Sequence, residues 1–236
     1  MVETLSTRRD TRAQVQVNTF IQSVYNWMAI GLALTGGVAF YVANSPSLMN
    51  LIFGNKMLFY GLIIGELGLV FYLSARVQKI QASTATALFV LYAALNGATL
   101  SMIFRVYTGT SIASTFFVCA GTFVACSIYG MVTNRDLTSM CGFMHIGLIG
   151  IIIASVINMF FQSSSMQMII SYIGVLVFVG LTAYDTQKLK HMALSQPAGL
   201  DAGVVRKGAI IGALTLYLDF INLFLMLLHI MGGSRD

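Results

Sequence analysis

Long apolar runs alternate with short polar segments along the whole chain. A membrane-spanning helix needs about 20 consecutive, mostly apolar residues, and seven runs meet that requirement. The predicted spans are 24–44, 57–75, 83–104, 111–132, 142–161, 167–189 and 207–230. The pattern therefore predicts an all-α membrane protein, a bundle of seven transmembrane helices. The seventh span contains Asp219, and a re-entrant segment is the alternative there.

The composition agrees with a membrane location. Hydrophobic residues make up 57% and charged residues 9% of the 236 positions, whereas a soluble domain has about 25% charged residues. So few charges cannot cover a globular surface, so we expect an integral membrane protein. No linker or low-complexity run interrupts the chain. We expect a polar cytoplasmic N-terminal segment (1–23), one transmembrane domain (24–230) and a short C-terminal tail (231–236).

The lysines and arginines divide unequally between the two sides of the predicted bundle. With a cytoplasmic N-terminus, ten of the 13 lie inside, and Lys56, Arg105 and Arg235 lie outside. Positive residues favour the cytoplasm, so we expect the N-terminus inside and, after seven spans, the C-terminus outside. The basic residues stand singly or in pairs between apolar runs, so the net charge of +5 does not indicate a nucleic-acid partner.

The cysteines and one histidine inside the predicted spans have simple interpretations. Cys119, Cys126 and Cys141 form no CxxC pair, and we interpret them as small apolar residues rather than redox or metal-binding groups. His145, in the fifth span, is interpreted as a core histidine whose hydrogen bonds are satisfied.

Five ionisable side chains inside or beside the spans are candidates for function: Glu66, Arg76, Asp185, Asp219 and His229. A carboxylate at the bilayer centre costs roughly 2.5–3.5 kcal/mol on insertion scales, so such groups face the bundle interior or water and pair with one another. The alternatives are structural: a salt bridge or interfacial position for Asp185 and, with less weight, for Asp219, a hydrogen-bonded role for Glu66 and an interfacial role for His229.

The helical rise separates these residues into two layers. Glu66 is ten residues before Arg76 in a span that runs inward, and His229 is ten residues after Asp219 in a span that runs outward. Each separation corresponds to about 15 Å. We therefore expect an inner layer of Asp185, Asp219 and Arg76 and an outer layer of Glu66 and His229.

Asp185 and Asp219 are predicted to face each other near the cytoplasmic side. Two close carboxylates in a low-dielectric site cannot both ionise easily. The pair then shares a proton, or both ionise around a cation, and two carboxylates suit a hard cation such as Ca²⁺. Arg76 would compete for the same negative charge. Protonation and cation binding would thus decide whether the sixth and seventh helices are held together.

The chain contains no familiar catalytic motif, since HExxH, GxSxG, a P-loop and a Cys/His cluster are all absent. Two aspartates on adjacent helices are also found in intramembrane aspartyl proteases. Those proteases carry YD and GxGD elements; Asp185 follows Tyr184, but no glycine precedes Asp219. We therefore expect neither an enzyme nor a cofactor.

Two segments, GLTAYDTQKLK (180–190) and LYLDFINLFLMLL (216–228), resemble the signature of the transmembrane Bax inhibitor motif family, in its bacterial branch. The resemblance extends over the whole chain. It implies a central seventh helix wrapped by the other six. It also implies a pH-sensitive calcium leak, in which aspartates matching Asp185 and Asp219 sense pH and an arginine matching Arg76 bonds the closed pair.

The resemblance also bears on the outer layer. Glu66 matches a family glutamate in the second span, and some relatives carry an arginine where this chain has His229. If Glu66 pairs with that position, the histidine makes the outer layer titratable as well.

The leading hypothesis is a pH-sensitive Ca²⁺ leak channel, or Ca²⁺/H⁺ exchanger, of a bacterial inner membrane, gated by Asp185 and Asp219. Its partners are the lipid bilayer, Ca²⁺ and H⁺. The alternative, which the resemblance also implies, is a regulatory protein that binds or modulates a membrane-bound protease or a stress pathway. Deletion of residues 1–18 separates the two, because partner binding should fail while any leak persists.

Overall fold

The computed structural model describes residues 2–195 and 201–233, and within those residues it contains nine α-helices and no strand. The helices are α1 (Val2–Ala43), α2 (Pro46–Phe53), α3 (Lys56–Arg76), α4 (Ala82–Leu100), α5 (Ile103–Val106), α6 (Gly109–Val132), α7 (Thr138–Phe161), α8 (Ser164–Ser195) and α9 (Ala202–Met231).

Seven stretches of the described chain are long and apolar enough to cross a membrane, which confirms the all-α fold with seven spans. They are Val17–Ala43, Lys56–Arg76, Ala82–Val106, Gly109–Val132, Thr138–Phe161, Ser164–Ser195 and Ala202–Met231. The seventh is one continuous helix rather than a re-entrant segment. The largest differences from the predicted boundaries are at the first span and around the last loop, where α8 continues to Ser195 and α9 already begins at Ala202.

Polar side chains fix several helix ends. The side chain of Asn55 accepts hydrogen bonds from the backbone N–H groups of Met57 and Leu58 at the start of α3. Thr108 accepts in the same way from Ser111 at the start of α6. These caps satisfy backbone donors that have no partner within the helix. Between α7 and α8, Gln162 takes a left-handed conformation with φ 49°, so that only two residues connect the two spans.

The chain divides into two compact units. Unit 1 consists of the segment that ends at Arg105 together with Leu189–Thr215, and unit 2 consists of Val106–Lys188 together with the segment from Leu216 onward. The helices α8 and α9 each contribute residues to both units. The prediction of one transmembrane domain (24–230), with a separate N-terminal segment (1–23) and a C-terminal tail (231–236), stays a prediction.

Within unit 1, α1 packs closely against α4. Thr35 is buried and its hydroxyl donates to the carbonyl oxygen of Ala93 at 2.8 Å. Gly97 allows the close approach, because a Cβ atom there would lie 2.5 Å from the carbonyl oxygen of Thr35. The start of α9 is joined to unit 1 by Arg206, whose guanidinium lies 5.5 Å from the ring centroid of Trp27. This cation–π contact is the kind that arginine makes with indole rings.

Within unit 2, α6 packs against α9 through aromatic rings. Phe220 lies edge-on to Phe116 and Phe123, with centroids 5.6 and 5.4 Å apart. Cys119, which lies between Phe116 and Phe123 in the sequence, is buried, and its thiol contacts the carbonyl oxygen of Phe220 at 3.7 Å. These contacts place α6 alongside the residue that follows Asp219.

The last span is the most buried of the seven. Two thirds of its most apolar stretch (67%) is buried, against 6–44% in the other spans. High burial is what a central helix requires, and a central seventh helix stays a prediction that this burial favours.

Candidate functional site

The two aspartates predicted to face each other lie together in unit 2. Asp185 is on α8 and Asp219 is on α9, and their carboxyl groups are hydrogen-bonded to each other. Their side chains are 8% and 6% exposed, respectively. We call these two residues the carboxyl pair. Both carboxyl groups are therefore buried within unit 2, while the role of the pair as a gate stays a prediction.

The hydrogen bond constrains the charge of the carboxyl pair. An ionised carboxylate only accepts hydrogen bonds, so a bond between two carboxyl groups requires a proton on one of them. Among the described residues, the Oδ2 atom of Asp219 is buried and has no hydrogen-bond partner. A second negative charge at that unsolvated oxygen would be unfavourable. The arrangement in this structure therefore corresponds to a pair that holds at least one proton.

Two basic side chains act electrostatically on Asp185. Lys188, which follows Asp185 by about one turn of α8, and His145 on α7 both interact with the Asp185 carboxyl group. Lys188 is exposed. The positive charge of Lys188 therefore partly compensates a negative charge on Asp185.

The connection between α6 and α7 is tied to α8 beside the pair. Gln187 is 5% exposed, and its amide donates to the carbonyl oxygen of Arg135 at 2.8 Å. Its amide oxygen accepts from the backbone N–H of Leu137 at 3.0 Å. The sequence analysis missed Gln187. Its only signal was its position two residues after Asp185, inside the segment that resembles the family signature.

α6 approaches α8 very closely at Gly130. A Cβ atom at this position would collide with the carbonyl oxygen of Ala183 and would lie 3.1 Å from Cβ of Thr186. Gly130 thus allows α6 to lie directly against the turn of α8 that carries Asp185.

Several buried oxygens in unit 2 have no hydrogen-bond partner. In the described part of this unit they are Thr115 Oγ1, Ser127 Oγ, Thr186 Oγ1 and Asp219 Oδ2. Thr115 and Ser127 are on the buried face of α6, and Thr186 is beside Asp185 on α8. Buried oxygens without partners are uncommon in proteins, and they are potential ligands for water or a hard cation.

The carboxyl pair is not a complete metal site by itself. Among the described residues, no three side chains of the types His, Cys, Asp or Glu come together as a metal-binding group. Ca²⁺ takes six to eight oxygen ligands, and two carboxyl groups supply at most four. The two carboxyl groups alone therefore do not complete the coordination shell of a tightly held Ca²⁺ ion.

The remaining predicted site residues are distributed between the two units. Arg76 is the exposed last residue of α3 in unit 1. Glu66 is buried in the same helix, where its Oε2 accepts from the amide of Asn96 at 3.3 Å. Two predicted pairings join residues of different units: Arg76 with the carboxyl pair, and Glu66 with His229. Both pairings stay predictions.

His229 lies at the end of α9 in unit 2 and is exposed. Its Nδ1 lies 2.7 Å from the carbonyl oxygen of Leu225, and its ring meets Tyr107 edge-on with centroids 6.3 Å apart. Burial raises the pKa of the Tyr107 hydroxyl. Tyr107 therefore stays neutral at physiological pH and offers the histidine an aromatic edge rather than a charge.

The interpretation of His145 as a core histidine is wrong, because its side chain is exposed. Only 6% of the most apolar stretch of α7 is buried, so most side chains of this span face outward. The three cysteines are free thiols; Cys119 is buried, whereas Cys126 and Cys141 are half-buried.

The fold and the site together define a class: an α-helical membrane protein with seven spans, in which the last two carry a buried, hydrogen-bonded carboxyl pair. The family model described as "Inhibitor of apoptosis-promoting Bax1" matches residues 17–236. The chain therefore belongs to this Bax inhibitor-like family, which confirms the resemblance seen in the sequence.

The relatives are bacterial and match over almost their full length. The chain is 54% identical to the inner membrane protein YbhL of Escherichia coli K12 over 219 residues, which cover 93% of each chain. It is 45% identical to an uncharacterized protein of Borreliella burgdorferi, over 93% of this chain and 94% of the relative. It is 44% identical to an uncharacterized protein of Deinococcus radiodurans, over 94% of this chain and 93% of the relative.

Proposed function

We propose that the protein is a pH-sensitive Ca²⁺ leak channel, or a Ca²⁺/H⁺ exchanger, whose gate is the carboxyl pair. The observation that carries the proposal is the hydrogen bond between two buried carboxyl groups on the last two spans. A buried acidic group inside a span is costly, and such groups are usually paired and mark functional sites. Here the pairing itself depends on a proton, so the contact between α8 and α9 responds to pH.

The gating step follows from the charges. With one proton shared, the carboxyl groups attract each other and hold α8 against α9. When that proton leaves, two negative charges face each other in a low-dielectric site and repel strongly. Separation of the helices, or entry of a divalent cation between the carboxylates, relieves the repulsion. Flux should therefore be low at acid pH and rise as the pH increases.

The cation would pass the pair rather than stay bound. Two carboxylates supply part of a Ca²⁺ coordination shell, and water supplies the rest. The buried hydroxyls of Ser127 and Thr186 in unit 2 are further oxygen ligands that the described contacts leave unpartnered. On this proposal Ca²⁺ is the transported ion and no resident cofactor is required.

The proposed location is a bacterial inner membrane, with the N-terminus in the cytoplasm and the C-terminus outside. Support comes from the name of the Escherichia coli relative, an inner membrane protein. The excess of lysine and arginine in the predicted cytoplasmic segments supports the orientation. Arg76, at the inner end of α3, is the proposed cation that competes with Ca²⁺ for the pair.

The test is Ca²⁺ flux into proteoliposomes between about pH 5 and 8, the range over which a shared proton in a carboxyl pair is expected to leave. Wild-type flux should rise with pH. Asp219→Asn cannot ionise, so its flux should lose the pH dependence. Asp201→Asn makes the same chemical change at an exposed loop position and should behave like wild type.

Two results would count against the proposal. An unchanged pH profile in Asp219→Asn would remove the pair as the gate. Absence of flux in the folded wild-type protein would favour the second function, a regulatory protein that acts on a membrane-bound protease. One feature favours that alternative. The first span begins at Val17, but α1 begins already at Val2, so the polar N-terminal segment forms a helix outside the span that a partner protein can bind.

A further inference from the structure

A second cluster of chemically active side chains lies near the start of α7. The thiol of Cys141 and the Nδ1 atom of His145 are 3.1 Å apart, and the same Nδ1 donates to the backbone carbonyl oxygen of Cys141 at 2.9 Å. The phenol of Tyr184, on α8, is hydrogen-bonded to the same thiol. Cys141 is a free thiol and only half-buried, and His145 is exposed. All three residues belong to unit 2.

The spacing of this cluster suits a soft metal ion. Residues four apart on a helix lie on the same face, which is why paired ligands at that spacing bind zinc in other proteins. Zinc bonds to thiolate sulfur at about 2.3 Å and to imidazole nitrogen at about 2.0–2.1 Å. These two bonds at a tetrahedral angle require the sulfur and nitrogen to be about 3.5 Å apart. Coordination through Nδ1 requires the exposed imidazole ring to turn away from the carbonyl oxygen of Cys141 and to carry its proton on Nε2, so that Nδ1 moves from 3.1 Å to that distance from the sulfur.

The ligand types determine which ions fit. Thiolate and imidazole favour zinc, cadmium and copper(I) over calcium and magnesium, which prefer oxygen. A third ligand is available in the Tyr184 hydroxyl, and on this proposal water completes the shell, since Cys141 is in the first turn of α7, at the end of a span. Among the described residues there is no third His, Cys, Asp or Glu in the cluster. The site therefore suits reversible binding rather than a permanent structural metal.

We propose that Cys141 and His145, assisted by Tyr184, form a binding site for a thiophilic metal ion of the zinc class. On binding, the thiol gives its proton to water and the sulfur bonds to the metal. Tyr184 directly precedes Asp185, and His145 acts electrostatically on Asp185. The metal would thus join α7 to α8 next to the carboxyl pair. Any effect of the metal on Ca²⁺ flux rests on the proposed function, whereas metal binding itself does not.

Cadmium is the probe for the test, because a cadmium–thiolate bond has a distinct ultraviolet absorbance, whereas zinc binding gives no comparable optical signal. Purified full-length protein in detergent is titrated with Cd²⁺, and absorbance is followed together with the thermal midpoint. We expect saturable absorbance and a rise in the midpoint, since an ion that binds only the folded state stabilises it. Both signals should disappear in Cys141→Ser.

The other variants identify the remaining ligands and serve as controls. His145→Gln should weaken binding by about tenfold or more, since even loss of an outer-shell partner costs 10- to 100-fold in metal affinity. Cys126→Ser, which removes the other half-buried thiol, should bind Cd²⁺ as wild type does. A cadmium signal that survives in Cys141→Ser, that disappears in Cys126→Ser or that is absent from the wild type would overturn the proposal. Calcium flux is not part of this readout, so its outcome is independent of the channel function.

Discussion

Asp219 is placed where an aspartate is tolerated only with a partner. It lies in an otherwise apolar run, its side chain is 6% exposed, and its hydrogen bond goes to Asp185. Removing one member of such a pair leaves the other buried without a partner, which typically costs about 1–3 kcal/mol. Replacing both by apolar residues of similar shape removes the need for the hydrogen bond and can be nearly neutral.

A double-mutant cycle on the carboxyl pair tests whether each carboxyl group depends on the other for its stability. Asp185→Leu and Asp219→Leu should each lower the free energy of unfolding by about 1–3 kcal/mol. The double variant should be clearly less destabilised than the sum of the two. Denaturant unfolding in detergent, followed by tryptophan fluorescence, gives these values. Additivity within the pair itself would mean that the two carboxyl groups are not coupled.

The close contact between α6 and α8 beside the carboxyl pair depends on a glycine. Gly130 faces the backbone of α8, where a Cβ atom would collide with the carbonyl oxygen of Ala183. Gly121, on the same helix, has nothing within 4 Å of the corresponding Cβ position. The two glycines therefore provide a matched comparison within α6.

Gly130→Ala should lower the free energy of unfolding by about 1–3 kcal/mol, because the added methyl group forces α6 away from α8. Gly121→Ala should instead be neutral or stabilising by up to about 1 kcal/mol, since alanine is the better helix former. Thermal unfolding of both variants in the same detergent measures the difference. Equal effects at the two positions would contradict the close approach of the helices. If α8 is displaced as expected, Gly130→Ala should also alter the pH profile of Ca²⁺ flux.

The seven spans and the carboxyl pair were predictable because both depend on simple regularities. Apolar run length sets the number of spans, and the continuation of the helical pattern beyond Asp185 placed it well inside α8, where it meets Asp219. The contacts made by Gln187 and Gly130 were not predictable, since they depend on which faces of neighbouring helices meet. The exposure of His145 was missed for the same reason, because an apolar span facing outward has the same composition as one facing inward.

For the molecule as a whole, we propose that a shared proton in the carboxyl pair closes the path for Ca²⁺. Infrared difference spectroscopy of the protein in lipid detects a protonated carboxyl group directly, by a C=O stretch that a carboxylate lacks. Loss of this band on raising the pH should follow the same midpoint as the rise in Ca²⁺ flux, and the Asp185→Asn/Asp219→Asn double variant should lack it. A band that persists across the pH range in which flux rises, or that survives in the double variant, would contradict a gate that opens by loss of the shared proton.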